Sequence, residues 1–521
     1  MMKPFRLFLI LMLLTIVGTT GAWAVEVSES LTKIQRIGSA VVYTFNYPSK
    51  DVAGEDIVLS SMLMAWQPKT TTAADSIETV HIYSHFTVTD DKGRPSSTES
   101  KEQLILPSFC RDKYLLLSSS EVDYATRCII IAPDYEGYGV TRNRMHPYLA
   151  QNVTAKQEID GVIYGLQLYQ KLVEENKALP IKSNWRSFGL GFSQGGAVTL
   201  AVQRFIEQHE LAEELHFRGS ICGDGSYDLI ATLRYYMYDD GNSYGQNTPH
   251  RKGTSPMPMV LPMIFESMLI SHPDMKGHEL EDYFSQQFLD TGIMDWLNSK
   301  DYTTKDIHKM WYKQLNEGLE ANGRSYTKEQ MAELFSASSS GDKQVIAHLD
   351  KLFTPELYKY LADSTNLSCL PIEKGDACKD LHRALVDNNV TTGWEPQHRI
   401  QFVHAKGDMV VPYGNYLAFR DAHSSGENTM YRVYDKIDTY DHVSAGSWFF
   451  LNLIIPLSNF DQFYSWIDEE STVTGIDEVR SRGVRSEMYN DVWYDLQGRR
   501  LSSEPTRAGI YINKGIKVVI K

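Results

Sequence analysis

The sequence predicts an α/β fold in which helices cover both faces of a mostly parallel β-sheet. Short apolar strands alternate with helical patterns between about residues 56 and 224. The segment "GLGFSQGGAV", residues 189–198, has the pattern of a strand, a tight turn and a helix. A strand pattern resumes at residue 397 after a long helical stretch. Strands that are separated by helices pair in parallel, and the helices then cover the sheet.

The first 24 residues have the layout of a secretory signal peptide. Lys3 and Arg6 precede an apolar run over residues 7–17, and alanines stand at positions 22 and 24. The run is shorter than the roughly 20 residues that a membrane helix needs, and no later stretch reaches that length. We therefore expect an exported protein without a transmembrane segment, located in the periplasm, at the cell surface or secreted.

The composition argues against some partners and cofactors. The 51 Lys and Arg residues against 66 Asp and Glu residues give a formal net charge of −15. This acidic balance argues against nucleic acid, which requires clustered cations. The sequence has no C-x-x-C pair and no H-E-x-x-H helix, so we expect no metal and no cofactor. Two disulfides are open as candidates among the 5 cysteines, Cys110 with Cys128 and Cys369 with Cys378.

The strand pattern divides the chain after the leader into a core and an insertion. Residues 25–224 form the first part of the core, with strand candidates at 56–66, 78–88, 128–135, 185–192 and 216–225. The stretch 157–175 has apolar residues three and four apart, as an amphipathic helix does. Residues 225–396 show no convincing buried strand, so we predict a helical cap or lid between the sixth and seventh strands of the sheet. Residues 397–466 complete the core.

The end of the chain changes character. One amphipathic helix is predicted near residues 447–467, and residues 467–489 have the polar composition of a linker. Residues 490–521 contain alternating strands joined by turn residues, and they are too few to bury a large core. We therefore predict a small C-terminal β appendage separate from the main unit.

The G-x-S-x-G spacing occurs twice, and only one copy has the context of a nucleophile. By chance, about one chain in six of this length contains the G-x-S-x-G spacing. Ser193 follows a short apolar strand and precedes a helical pattern, so the turn holds it in a strained conformation with its oxygen exposed. Ser243 stands in a polar stretch without a helix start and is interpreted as a loop serine.

A serine nucleophile needs a base and a group that orients the base. Asp408 follows the strand pattern "RIQFVHA", residues 399–405, and His442 stands in a polar loop after the final strand pattern. The order Ser, Asp, His places the acid and the base after the last two strands, at the carboxyl edge of the sheet. Five other residues were weighed for these roles or for supporting ones: Asp435, Asp438, Asp441, His404 and His423.

An oxyanion hole for this nucleophile requires two backbone amides. The first is expected from Gln194, the residue after the nucleophile. The second is expected from Phe86 or Thr87, in the loop that begins with the sequence "YSHFTVTDD".

Four motifs resemble those of the α/β-hydrolase superfamily, in particular its secretory-lipase-like branch of serine esterases and lipases. They are "GFSQGG", "APDYEGYG", "GDGSYDL" and "HAKGDMVVPY", and they lie within residues 55–460. The resemblance implies a nucleophile at Ser193, an acid at Asp408 and a base at His442. It also implies that Asp134 and Glu136 are structural. Phe86 stands where the family usually has glycine, so the second oxyanion donor is not determined by the resemblance.

The last 28 residues, from "YDLQGRRL" to "AGIYINKGIKVVIK", resemble a shortened form of the C-terminal sorting domains used for type IX secretion in Bacteroidetes-type bacteria. This resemblance implies contact with an export machinery. Together with the leader it favours a bacterial protein that leaves the cytoplasm.

These features predict an exported serine hydrolase that cleaves carboxylic esters of small molecules or lipids, of lipase or carboxylesterase type. A serine peptidase of the same fold is an alternative, because the same triad cleaves amides. A non-catalytic surface binding protein on a hydrolase scaffold is a second alternative. The insertion carries four methionines that either line an acyl pocket or pack helices: Met257, Met259, Met263 and Met268.

Overall fold

The computed structural model describes most of the chain. The described residues are 30–110, 127–239, 251–338, 343–367, 373–424, 430–454, 459–470, 493–494, 500–501, 509–513 and 516–520. The predicted leader, Ser243 and Cys369 lie outside them. The chain divides into two compact units, residues 1–470 and 471–521.

A nine-stranded sheet organises the first unit. In spatial order the strands are β1 (Leu31–Ile37), β2 (Ala40–Lys50), β3 (Asp56–Trp66), β5 (Cys128–Pro133), β4 (Ile77–Ser84), β6 (Ile181–Phe192), β7 (Phe217–Gly223), β13 (Arg399–Val403) and β14 (Tyr431–Tyr434). The five pairs from β5 to β14 in this order are parallel, and the three pairs from β1 to β5 are antiparallel.

Helices cover both faces of this sheet. The α-helices are α1 (Lys101–Ile105), α2 (Gln151–Glu174), α3 (Gln194–Gln208), α4 (Leu229–Tyr238), α5 (Val260–Ser271), α6 (Gln286–Leu289), α7 (Ile293–Ser299), α8 (Thr304–Glu317), α9 (Lys328–Leu334), α10 (Leu349–Leu352), α11 (Pro355–Ala362), α12 (Ala377–Asp387), α13 (Gly414–Ala422), α14 (His442–Ile454) and α15 (Asn459–Glu470).

Two neighbouring residues of β6 identify the opposite faces. The ring of Phe188 packs against Tyr464 of α15, with ring centroids 4.9 Å apart. A side chain at Gly189 would meet Thr199 of α3 at 3.0 Å. Because successive strand residues point to opposite faces, α3 and α15 lie on opposite sides of the sheet. The predicted layered α/β architecture is therefore present.

The segment 225–396 lies between β7 and β13, the seventh and eighth sheet strands along the chain. The prediction placed it between the sixth and seventh strands and was wrong by one. The edge strand β1 has no fully buried residue, so its sequence shows no apolar pattern by which it could be recognised.

The insertion is not purely helical. Its described residues also contain five short strands, β8 (Thr254–Ser255), β9 (Leu319–Ala321), β10 (Arg324–Tyr326), β11 (Phe335–Ala337) and β12 (Val345–His348). They form one two-stranded and one three-stranded sheet. Strands of two to four residues are too short for an alternating pattern to be recognised in the sequence.

Two further boundaries differ from the prediction. The single helix expected near residues 447–467 is two helices, α14 and α15. Helix α15 continues through Glu470, so the first four residues of the predicted linker are helical, and the rest of that linker lies outside the described residues.

The second unit contains a four-stranded antiparallel sheet. Its strands are β15 (Trp493–Tyr494), β16 (Arg500–Leu501), β17 (Gly509–Asn513) and β18 (Ile516–Ile520). Within the described parts of the chain, no helix has both the length and the apolar character needed to cross a bilayer.

The candidate cysteine pair that can be compared with the structure is Cys110 and Cys128. Both residues are buried, and their Sγ atoms lie 3.7 Å apart, which is longer than a disulfide bond. Cys378 is a free thiol.

Candidate active site

Ser193 occupies the sharp turn between strand β6 and helix α3. Its backbone has φ 60° and ψ −123°, a conformation that L-residues rarely adopt. The turn is stabilised by a hydrogen bond from the Ser193 amide to the carbonyl oxygen of Gly223 at 2.9 Å. Such strain at one residue persists only where the surrounding structure enforces it, and it presents the serine oxygen above the sheet.

The flanking glycines allow the close approach that this turn requires. A Cβ atom at Gly191 would lie 2.3 Å from the carbonyl oxygen of Gly195. A Cβ atom at Gly195 would lie 2.1 Å from the carbonyl oxygen of Ser84, and one at Gly196 would lie 2.1 Å from that of Gly223. Since these neighbours are backbone atoms, side chains at the three positions would push the helix away from the sheet.

Three predicted site residues form one hydrogen-bonded chain. The Nε2 atom of His442 lies 2.9 Å from Ser193 Oγ, and its Nδ1 atom lies 2.6 Å from Asp408 Oδ2. This arrangement assigns the proton of neutral His442 to Nδ1, where it is donated to the carboxylate. Nε2 is then free to accept the hydroxyl proton of Ser193. The sequence predicted His442 in a loop, but it is the first residue of helix α14.

Asp408 is fully buried and held from its other side. Its Oδ1 atom accepts hydrogen bonds from the amides of Val410 at 2.8 Å and Val411 at 2.9 Å. The carboxylate is therefore fixed before it meets the imidazole, which restricts the orientation of His442.

Two of the three competing carboxylates have other partners. Asp441 accepts a hydrogen bond from the Ser444 amide at 2.7 Å, and Asp438 pairs with Lys406. For Asp435 the described contact is made by its backbone carbonyl, which accepts the Asp438 amide. In the described hydrogen-bond set, Asp408 is the carboxylate bonded to His442.

The two other weighed histidines have partners of their own. The ring of His404 is buried and its Nε2 atom lies 2.9 Å from the Val411 carbonyl. The Nε2 atom of His423 lies 3.0 Å from the Thr391 carbonyl. His404 thus stands next to the loop that carries Asp408, whereas His423 bonds to the end of the insertion.

The predicted oxyanion donors belong to two segments, the start of helix α3 and the loop that follows strand β4. Gln194 is the first residue of α3, so its amide has no acceptor within the helix. On the other side, His85 Nδ1 lies 2.8 Å from the Phe86 carbonyl, and the Tyr135 hydroxyl donates to the His85 carbonyl at 3.1 Å. These two bonds fix the peptide planes whose amides belong to Phe86 and Thr87.

One polar contact near the nucleophile was not foreseen from the sequence. The Gln194 side chain amide lies 2.9 Å from His146 Nε2, and His146 Nδ1 lies 2.8 Å from the Glu136 carbonyl. Burial lowers the pKa of His146 well below its usual value, so the ring is neutral and accepts from Gln194. Only the fold brings these two residues together, since 48 positions separate them in the chain.

Asp134 and Glu136 have the structural contacts that the sequence resemblance implied. Asp134 accepts from the Ser96 amide at 2.8 Å. Glu136 accepts from Arg144 Nε at 2.9 Å and from the Gln157 side chain at 2.8 Å. Burial raises the pKa of both carboxyl groups.

A mostly apolar cavity of about 530 Å³ opens onto Ser193 and His442. Both predicted donors of the oxyanion loop, Phe86 and Thr87, line it. The cavity wall combines core and insertion, and its apolar members include Leu149, Phe192, Leu229, Met257, Val260, Leu261, Ile264, Val410, Val411 and Phe450.

The four methionines of the insertion have different positions. Met257 lines the cavity. The side chains of Met259, Met263 and Met268 are buried in the core, with exposed fractions of 0%, 7% and 1%. Three of the four therefore pack helices, and the wall of the cavity depends more on the aliphatic residues of α5.

Comparison with known proteins gives similarity at the level of the fold. A scan against protein-family models finds no match, and a search of curated proteins finds no relative. Among solved structures, the chain is similar to a candidate hydrolase from Legionella pneumophila, with a TM-score of 0.55 and 15% identity over 86% of this chain and 94% of that one. It is also similar to LipA, a rice cell wall degrading esterase from Xanthomonas oryzae, with a TM-score of 0.53 and 17% identity over 85% and 92% of the two chains.

The sheet order and these similarities define an α/β-hydrolase fold, and the prediction of that fold is confirmed. At 15% and 17% identity the two comparisons establish the fold and not the activity. The chemistry of the site is argued from its own geometry.

Proposed function

We propose that this protein is an exported serine hydrolase that cleaves carboxylic esters through an acyl-enzyme intermediate. The observation that carries the proposal is the hydrogen-bonded chain from Ser193 through His442 to Asp408, at 2.9 and 2.6 Å. The nucleophile lies on a strained strand-to-helix turn and faces an apolar cavity. A lipase or carboxylesterase of the secretory-lipase-like branch fits this combination.

The reaction proceeds in two steps that use the same base. Ser193 Oγ attacks the ester carbonyl carbon while His442 Nε2 takes the hydroxyl proton. The carbonyl oxygen becomes an oxyanion that accepts from the Gln194 amide and from Phe86 or Thr87. His442 then protonates the departing alcohol, which leaves an acyl group on Ser193. Water, deprotonated by His442, attacks this acyl group and releases the carboxylic acid.

The cavity supports an ester with an apolar acyl group as the substrate. Its walls are aliphatic and aromatic, and each methylene group buried there stabilises the bound ester by about 0.8 kcal/mol. Since the transition state is bound in the same cavity, kcat/KM is expected to rise with chain length until the cavity is filled.

The first experiment uses the mature chain with a fluorophosphonate probe and a series of p-nitrophenyl esters of increasing chain length. We expect labelling at Ser193, located by peptide mass spectrometry, and ester hydrolysis that Ser193→Ala abolishes. A matched control is Ser226→Ala, because Ser226 also lines the cavity but has no hydrogen bond to His442 among the described contacts. Ester turnover that survives Ser193→Ala would refute the nucleophile.

The two alternatives give different results in the same assay. A serine peptidase would cleave an amide with the same acyl group at a rate comparable with the ester. A surface binding protein would remain unlabelled although folded. The mostly apolar cavity favours the ester, because its walls suit an apolar acyl group better than a charged peptide terminus.

Export is part of the proposal and rests on the leader sequence and on the C-terminal resemblance. We propose that residues 1–24 are removed and that the C-terminal segment addresses the chain to an export machinery. Fractionation of the native host, with an antibody to residues 30–470, tests this. Full-length chain that retains residues 1–24 in the cytoplasm would contradict it.

A further inference from the structure

A second carboxyl group lies beside Asp408 and has no role in the mechanism described above. Asp224 directly follows strand β7, and Asp408 lies five residues beyond β13, the adjacent strand of the sheet. Both side chains are completely buried, with exposed fractions of 0%. One oxygen of each carboxyl group lies within 4.8 Å of the other and of a ring nitrogen of His404.

The local structure fixes Asp224 firmly. Its φ of 32° lies in the left-handed region, which is unfavourable for a residue with a side chain. Its amide donates to the Val403 carbonyl at 2.8 Å, and its Oδ1 atom accepts from the Ala405 amide at 2.8 Å. The other oxygen, Oδ2, is buried without a donor among the described groups. The carboxyl group of Asp408 lies within hydrogen-bonding reach of Asp224.

Among the described ion pairs, the basic partner of Asp224 is His404. His404 Nε2 lies 3.8 Å from Asp224 Oδ1, but burial lowers the pKa of His404 to about 4, so its ring is neutral near pH 7. Tyr227 and Tyr236 also face the pair, and burial raises the pKa of both phenols well above the usual value. His442 contacts Asp408 through Oδ2.

Two carboxylates this close in a buried site cannot both be ionised, so the pair retains a proton. Asp408 accepts three hydrogen bonds, from Val410, Val411 and His442. Asp224 accepts one, from Ala405. Burial, followed by the charge of Asp408, raises the pKa of Asp224 well above its usual value. The proton therefore resides on Asp224.

We propose that Asp224 is a neutral carboxylic acid whose Oδ2–H group donates a hydrogen bond to the Asp408 carboxylate. Asp224 is then a positioning residue: it touches neither substrate nor nucleophile and acts through Asp408. The bond fixes the Asp408 side chain and withdraws part of its negative charge. Less negative charge then faces His442, so loss of this hydrogen bond is expected to change the pH dependence of the reaction. This role rests on the proposed ester hydrolysis.

Two variants of similar shape separate the roles of the donor. Asp224→Asn keeps an N–H donor toward Asp408 without charge, so we expect kcat within about threefold of wild type and an unchanged acidic limb of the kcat/KM profile. Asp224→Leu removes the donor. A hydrogen bond to a charged group is lost, so we expect kcat to fall by about 10- to 100-fold, with the acidic limb moved to higher pH by about half a unit or more.

The opposite shift would overturn the proposal. If Asp224 were ionised, Asp224→Asn would remove a buried negative charge near His442 and move the acidic limb to lower pH. Asp441→Asn, measured at the same low salt, shows how far the acidic limb moves when a carboxylate near His442 is lost. It removes an exposed carboxylate directly before His442 in the chain. A downward shift in Asp224→Asn larger than in Asp441→Asn refutes a neutral Asp224, and a wild-type profile in Asp224→Leu refutes the positioning role.

A spectroscopic measurement does not depend on activity. A protonated carboxyl group has a C=O stretch distinct from that of a carboxylate. We expect this band at pH 7 in the infrared spectrum of wild type labelled with ¹³C-aspartate and a smaller band in Asp224→Asn, because burial also raises the pKa of the labelled Asp134 carboxyl group. A wild-type spectrum without the band, or a band unchanged in Asp224→Asn, would overturn the proposal. Failure of the proposed function would instead appear as missing fluorophosphonate labelling at Ser193, with the infrared band still present.

Discussion

Gly195→Ala is the substitution for which the structure gives the clearest expected loss of activity. The new Cβ atom would lie 2.1 Å from the Ser84 carbonyl oxygen and 2.9 Å from that of His85. Ordinary contact begins at 3.4 Å, so the gap between helix α3 and the loop after β4 must widen by about 1.3 Å. All the atoms involved are backbone atoms, and no rotamer change relieves the contact.

The two sides of this gap carry the proposed oxyanion donors. Gln194 lies on the helix side, and Phe86 and Thr87 lie on the loop side, so widening the gap takes one donor out of range. Loss of one donor costs about 10²- to 10³-fold in kcat, or roughly 3 to 4 kcal/mol. A displacement of about 1 Å has a similar effect. We therefore expect kcat to fall about 100-fold or more, with KM changed little.

The assay is steady-state hydrolysis of a p-nitrophenyl ester, with thermal unfolding of each variant to establish that it is folded. Gly165→Ala is the matched control. It lies within helix α2, where the new Cβ atom would meet the movable ring edge of Phe45 at 3.0 Å. We expect the control to keep its activity within about twofold. A folded Gly195→Ala protein with kcat within fivefold of wild type would refute the reasoning about the oxyanion hole.

Three other predictions follow from contacts described above. Asp408→Asn should lower kcat by about 10⁴-fold because the amide favours the wrong tautomer of His442, and ester kinetics showing a loss below tenfold would contradict it. Ile264→Trp should shift the preference in the p-nitrophenyl ester series toward shorter chains, because Ile264 lines the cavity. Ile270→Trp on the same helix, at a residue that is 38% exposed, should leave the preference unchanged. Equal chain-length profiles for the two variants would argue against this acyl site. Burial raises the pKa of Glu158 from 4.5 to about 8. Between these pH values the folded chain therefore holds a proton that the unfolded chain has released. The free energy of unfolding falls by about 1.4 kcal/mol per pH unit as the pH rises through this window. Glu158→Gln should remove that slope in urea unfolding across the window, and parallel pH curves for the two proteins would show that Glu158 is not protonated when folded.

The strand-to-helix turn at Ser193 could be predicted because its signal is local. A strand pattern, a glycine-rich turn and a helix pattern adjoin within residues 185–208, and the fold follows from their alternation along the chain. The same reasoning placed Asp408 and His442 after consecutive strands, and the structure brings both to Ser193. It mistook the start of helix α14 for a loop, because the first residues of that helix are polar or exposed.

Other features depend on contacts between distant segments, and the sequence contains no local trace of them. Asp224 and Asp408 meet only because β7 and β13 pair across an insertion that separates them in the chain. His146 reaches Gln194 through the packing of the loop before α2. The short strands of the insertion are stabilised by their partners rather than by their own composition, so pattern analysis interpreted that region as helix alone.

The insertion after β7 separates the reaction from the choice of substrate. Ser193, Asp408 and His442 all belong to the core, whereas Met257, Val260, Leu261 and Ile264 of the cavity wall belong to the insertion. Under the proposed function, mutations in residues 251–271 can therefore alter which esters fit without displacing the proposed nucleophile or its base. In evolution such a chain can acquire new substrates by exchanging one contiguous stretch, and the same stretch is the natural target for recombination or saturation mutagenesis in the laboratory.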